Sequence, residues 1–117
     1  MRAILLTSTF QRHVFVANTV AASCDLVGVW QEEKSFSPER YASNTNDENV
    51  IGRHFAERDE SEARYFAGHE AVRLGSGSVH RVVSTGTCSE AVEVEQMIAA
   101  RPDVVLVFGT GILKEPF

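Results

Sequence analysis

The sequence predicts an α/β domain, an open and mostly parallel sheet with helices on both faces. Two observations carry that expectation. Short apolar runs rich in β-branched residues alternate along the chain with segments of helical spacing. The first and last runs, Ala3–Leu6 and Val104–Phe108, are apolar throughout, the pattern of strands covered on both sides. At 117 residues the chain fits a single domain spanning residues 1–117.

Ala3–Leu6 reads as a buried strand entering a loop at Thr7-Ser8-Thr9. Residues 12–22 follow as a helix, with Phe15, Val16, Thr19 and Val20 on one face. Residues 25–30 form a second strand, completing a βαβ unit with a right-handed crossover. Residues 31–49, polar and containing Pro38 and the run Ser43-Asn44-Thr45-Asn46-Asp47, read as a long loop. Residues 59–72 read as an amphipathic helix, and His80–Ser84 as a short strand. Thr87-Cys88-Ser89-Glu90 fits a capping box for a helix carrying Ala91, Val94, Met97 and Ile98. Pro102 closes that helix, and Asp103–Phe108 reads as a buried strand ended by Gly109-Thr110-Gly111.

Charge narrows the function. The net charge of -5, from 11 basic and 16 acidic residues, gives no basic stripe of the kind nucleic acid requires. No apolar run reaches the length of a membrane span, and the amino terminus is a poor signal peptide, so the cytoplasm is expected. The two cysteines, Cys24 and Cys88, are far apart and read as buried thiols without a disulfide or metal role.

Two segments are candidates for binding. Thr7, Ser8, Thr9, Arg12 and His13 lie between a strand end and a helix start, where main-chain amides favour an anion and Arg12 offers a fork to phosphate. The same segment also reads simply as a cap by Ser8 or Thr9 with a solvated Arg12. It is neither GxGxxG nor a P-loop. In the second segment, Gly109 and Gly111 leave main chain bare after a strand, so a flat hydrogen-bonding heterocycle can approach. A tight turn using glycine only for its φ freedom is the other reading. His54, His69, His80, Glu32, Glu33, Asp59 and Glu60 read as solvated or capping groups.

The carboxy-terminal stretch resembles the folate-dependent formyltransferases, which include glycinamide ribonucleotide, methionyl-tRNA and sugar-amine formyltransferases. The resemblance rests on Pro102-Asp103, the valine-rich strand to Phe108, Gly109-Thr110-Gly111, Ile112-Leu113 and Pro116. It implies the Rossmann-like amino-terminal subdomain of that family. It further implies 10-formyltetrahydrofolate as co-substrate, with Phe108, Gly109, Thr110, Gly111, Ile112 and Leu113 forming the pterin wall. By the same resemblance Thr7, Ser8, Thr9, Arg12 and His13 face a small-molecule amine substrate, phosphorylated or nucleotide-linked. The first loop is most like that of the sugar-modifying members, and it lacks the glycines of the glycinamide ribonucleotide enzyme.

The family's catalytic Asn-x-His and later Asp have no counterpart in residues 1–117. The expectation is an amino-terminal portion that stops before the catalytic strand and is inactive by itself. Its open sheet edge would be covered by the family's carboxy-terminal half or by a second copy in a homodimer. From another class, a non-catalytic α/β binding or regulatory module fits the same elements. A phospho-acceptor receiver domain does not, because Thr7-Ser8-Thr9 offers no acidic pair.

Overall fold

The structure, a computed structural model, describes residues 1–34 and 44–117. Four strands, β1 (Arg2–Ser8), β2 (Asp25–Glu32), β3 (Val79–Val83) and β4 (Val104–Val107), form one sheet in the order β3-β2-β1-β4, and every pairing is parallel. Helices α1 (Gln11–Ser23) and α3 (Ala91–Ala99) lie on opposite faces, while α2 (Thr45–Tyr65) falls in the β2–β3 connection. The element order is the predicted one, and the architecture is open, Rossmann-like α/β. The chain clusters into two compact units, residues 1–34 with 69–117, and residues 35–68.

β1 is the centre of the sheet, bonded to β2 on one side and β4 on the other. Its side chains alternate between two apolar layers. Ala3 and Leu5 pack with Ala17 of α1 and with Leu26 and Val29. Ile4 and Leu6 pack with Val27, Trp30, Val83, Cys88 and Met97 of α3.

In β2 the alternation slips. The register shifts between Ala3 and Ile4, so that Ala3 faces Leu26 but Ile4 faces Gly28. The extra residue puts Leu26 and Val29 in one layer and Val27 and Trp30 in the other. Gly28 is required because the fully buried Trp30 ring lies against it. A Cβ on Gly28 would come 2.5 Å from Trp30 Cζ3.

The Trp30 indole N–H is satisfied in the same layer by the Glu93 carboxylate at 2.8 Å. Arg81 of β3 grips that carboxylate with two hydrogen bonds, at 2.9 and 2.5 Å. This bidentate contact holds the Glu93 carboxyl below its ordinary range, against the opposing effect of burial and with help from the Trp30 N–H. Strand β3 is thereby locked to α3. At the sheet's other end, the Arg2 guanidinium donates to the Ala100 and Arg101 carbonyls, covering the carboxyl end of α3.

Several sequence expectations change. The buried face of α1 is His13, Val14, Ala17 and Asn18, not Phe15 and Thr19. Phe15 is 37% exposed and meets His69 edge-on. Asn18 turns inward because its side chain holds the 69–73 segment, accepting from Arg73 N–H at 2.7 Å and donating to Ala71 C=O at 3.2 Å.

Within residues 31–49, β2 extends to Glu32 and α2 begins at Thr45; Pro38 and Ser43 lie outside the described residues. The polar run around Asn44 is a helix start, since the Asn44 side chain accepts from Asp47 N–H at 2.9 Å. The helix expected over 59–72 is the second half of α2, which ends at Tyr65 and buries no residue. The capping box does not form. Thr87–Ser89 make a 3-10 turn, Thr87 donates to Ser84 C=O, and Glu90 caps α3 without a side-chain bond. Strand β4 is an edge strand, not a buried one, with Val105 39% and Val107 52% exposed. Cys24 is exposed, whereas Cys88 is buried; both are free thiols. Among the described residues no helix is long and apolar enough to cross a membrane.

Two outcomes follow. Gly28→Ala should lower stability by about 1–3 kcal/mol, because the added methyl overpacks the Trp30 layer. An unchanged urea midpoint would contradict that packing. For Glu93, a folded-state pKa below the unfolded one gives stability that is present above the unfolded value and lost as pH falls through the folded one. The stability gap between parent and Glu93→Gln should therefore shrink below about pH 4.3. Urea titrations at neutral and acid pH measure it, and a gap constant with pH would remove Glu93 as its source.

Candidate functional site

The sheet order creates one place where connections diverge. From β1 the chain passes to β2 and on to β3, then crosses back to β4 on the other side of β1. Ligands of open parallel sheets sit at the carboxyl ends of strands at such a switch point. Here the β1–α1 loop and the loop after β4 meet at that rim.

Each buried strand turns polar as it reaches the rim: Thr7 and Ser8 on β1, Gln31 and Glu32 on β2, all at most 4% exposed. Their side chains bond main chain or neighbouring side chains instead of solvent. Thr7 Oγ1 donates to Phe108 C=O at 2.6 Å, and Phe108 N–H donates to Leu6 C=O at 2.9 Å. Gln31 donates to Ser8 C=O at 3.0 Å, and its carbonyl oxygen accepts from His80 Nε2 at 2.6 Å. That pairing leaves the His80 proton on Nε2.

Ser8 Oγ is hydrogen-bonded to His13 Nδ1. The α1 cap position belongs to Phe10, which makes no side-chain cap, and the first turn holds no acidic residue. Ser8 and Thr9 are therefore not the caps of this helix. His13, 5% exposed, meets Phe108 at 4.9 Å and Phe10 at 5.9 Å between ring centroids. The Arg12 guanidinium lies 4.9 Å above the Phe10 ring.

His13 also explains Gly109. That residue has φ +82, in the left-handed region, and a Cβ there would stand 2.3 Å from His13 Cε1. The first loop and the glycine loop are thus in direct contact through one imidazole. The glycine loop is also held from β2. Glu32 Oε1 accepts from Gly111 N–H at 2.6 Å, Glu32 Oε2 accepts from Gly86 N–H, and Lys34 Nζ donates to Gly109 C=O. Reading Glu32 as solvated is overturned: it is 1% exposed, because it serves two loop amides. Glu33 and Asp59 are exposed as expected.

The predicted residues divide accordingly. Phe108 (45% exposed), Thr110 and Ile112 (84% exposed) reach the surface of the rim, while Leu113 packs into the α3 layer. Thr9 is exposed and Arg12 half-buried. Thr7, Ser8 and His13 are buried and shape the rim from behind. Glu32, Lys34 and Gln31 were not legible as site residues. The signal for Gln31 and Glu32 is a polar pair ending an apolar run, the same signature that marks Thr7-Ser8.

Beneath the rim, burial pushes the Cys88 thiol up to about 12, with Glu32 and then Glu93 adding to the effect. A thiol reagent at pH 8 should therefore modify one cysteine per native chain, Cys24, and two after unfolding. Two fast-reacting thiols in the native protein would contradict the burial of Cys88.

Comparison of the chain with protein-family models, with curated proteins and with solved structures found no match.

Proposed function

We propose that this chain is the folate-holding and acceptor-positioning part of a formyltransferase acting on an amine, with 10-formyltetrahydrofolate as donor. The single observation that supports it most is the contact of the two candidate segments. The bare Gly109-Thr110-Gly111 main chain and the start of α1 meet at the switch point, with His13 between them. A pterin ring resting on the glycine loop would lie next to the first turn of α1, which holds no acidic residue and where the helix dipole would favour an anionic group of a phosphorylated or nucleotide-linked amine.

The reaction in this reading is formyl transfer. The unprotonated amine attacks the formyl carbon, a new C–N bond forms, and an oxyanion develops. The bond from that carbon to N10 of the folate breaks, and the proton lost by the amine ends on N10. Residues 1–117 hold no Asn-x-His to polarise the carbonyl, so the part proposed for them is binding.

One observation favours the rival, a non-catalytic binding module: Thr7, Ser8 and His13 are buried and engaged with the protein's own groups. Titration of the 15N-labelled chain with 5-formyltetrahydrofolate, a stable analogue of the donor, separates the two. The formyltransferase reading expects saturable amide shifts confined to residues 108–113 and the start of α1. No shift in that loop at millimolar ligand overturns it and favours the module.

A further inference from the structure

Among the described residues, Glu32 is the buried ionisable group at the rim whose part in binding is still unassigned. It sits at the end of β2, opposite Ser8 of β1 and Val83 of β3. It is 1% exposed, and both its oxygens accept from main-chain amides in separate loops, Gly86 and Gly111. Among the described residues no Lys, Arg or His pairs with it. A carboxylate at that depth is costly unless its hydrogen bonds are all made.

Two residues further on, Lys34 donates to Gly109 C=O. An acceptor and a donor from one strand end therefore grip the two ends of a three-residue arch, Gly109-Thr110-Gly111. Thr110 Oγ1 folds back onto Gly111 C=O at 2.9 Å, closing the arch on itself. The main-chain N–H and C=O of Thr110 make no hydrogen bond among the described residues. They are a donor and an acceptor that a ligand could use.

We infer that Glu32 is a positioning residue for the ligand of the glycine loop, with Lys34 as its counterpart: together they clamp the arch so that the Thr110 peptide groups face outward. The inference rests on the reading of this loop as the folate wall only for the identity of the ligand; the clamp itself is geometric. Its chemistry is specific to a carboxylate. A carboxamide of the same size has one oxygen and one NH2 group, and that NH2 would point at a backbone N–H. Glu32→Gln thus releases Gly86 or Gly111 without changing volume.

The test uses 15N–1H spectra of the 117-residue chain and its affinity for 5-formyltetrahydrofolate. Parent, Glu32→Gln, Lys34→Met and the core variant Gly28→Ala are compared well below their unfolding temperatures. In Glu32→Gln the amide of Gly86, or those of Thr110 and Gly111, should move or broaden while those of β1 and β4 stay. In Lys34→Met, a substitution at a partly exposed side chain that leaves both core layers untouched, Gly109 and Thr110 should respond. Both rim variants should weaken folate binding at least tenfold. Gly28→Ala, which loses stability in the core, should keep the parent affinity within twofold. Gly86, Thr110 and Gly111 signals all at parent positions in Glu32→Gln overturn the clamp. Affinity within twofold of parent in both rim variants overturns its role in binding. A parent that binds no folate sinks the folate reading, and the spectra alone then decide the clamp.

Discussion

The structure depends on β1 being enclosed on four sides. It has a hydrogen-bonded strand on each edge and an apolar layer on each face. A parallel sheet is stable only under such cover, and the cover fixes the rest. Helix α1 must return across one face to bring in β2. The chain must then cross the other face, through α3, to reach β4. Those opposite departures make the carboxyl ends of β1 and β4 the switch point of the sheet, and the candidate site lies there because of how the core was closed.

The rim shows how a buried strand is ended without orphaned polar groups. Thr7, Ser8, Gln31 and Glu32 occupy positions as deep as the Leu and Val before them, yet each spends its polar atoms on loop main chain or on a neighbouring side chain. The loops are consequently positioned by the sheet. That is the condition under which bare main chain in a glycine loop can hold a ligand in a fixed orientation.

What could be read in the sequence was whatever local periodicity and turn chemistry determine. The alternation of elements, the strand at Val104–Val107 and the glycine turn after it were all legible. What escaped depended on residues distant in the chain. Phe15 looked like a core residue because it is large and apolar, but Asn18 and His13 take the inner face, Asn18 to bond main chain at Ala71 and Arg73, and His13 to bond Ser8 and pack on Phe108. The slip at Gly28 is invisible to any period-two reading, because only the Trp30 ring beside it reveals why the extra residue is there. Glu32 reads as surface charge until Gly86 and Gly111, from two different loops, are brought to it. Asn44 and Thr45 carried the composition of a loop and served as the start of a helix.

The central place of β1 has a consequence for synthesis. Its first neighbour, β2, emerges within some two dozen residues, but Val104–Val107, which fill its other edge, are made about a hundred residues later. Throughout translation of that interval the apolar β1 segment presents a bare strand edge, a template for pairing with another nascent chain. Ribosome-bound chains should be most vulnerable to misassembly, and most dependent on chaperones, until the valine-rich strand clears the exit tunnel.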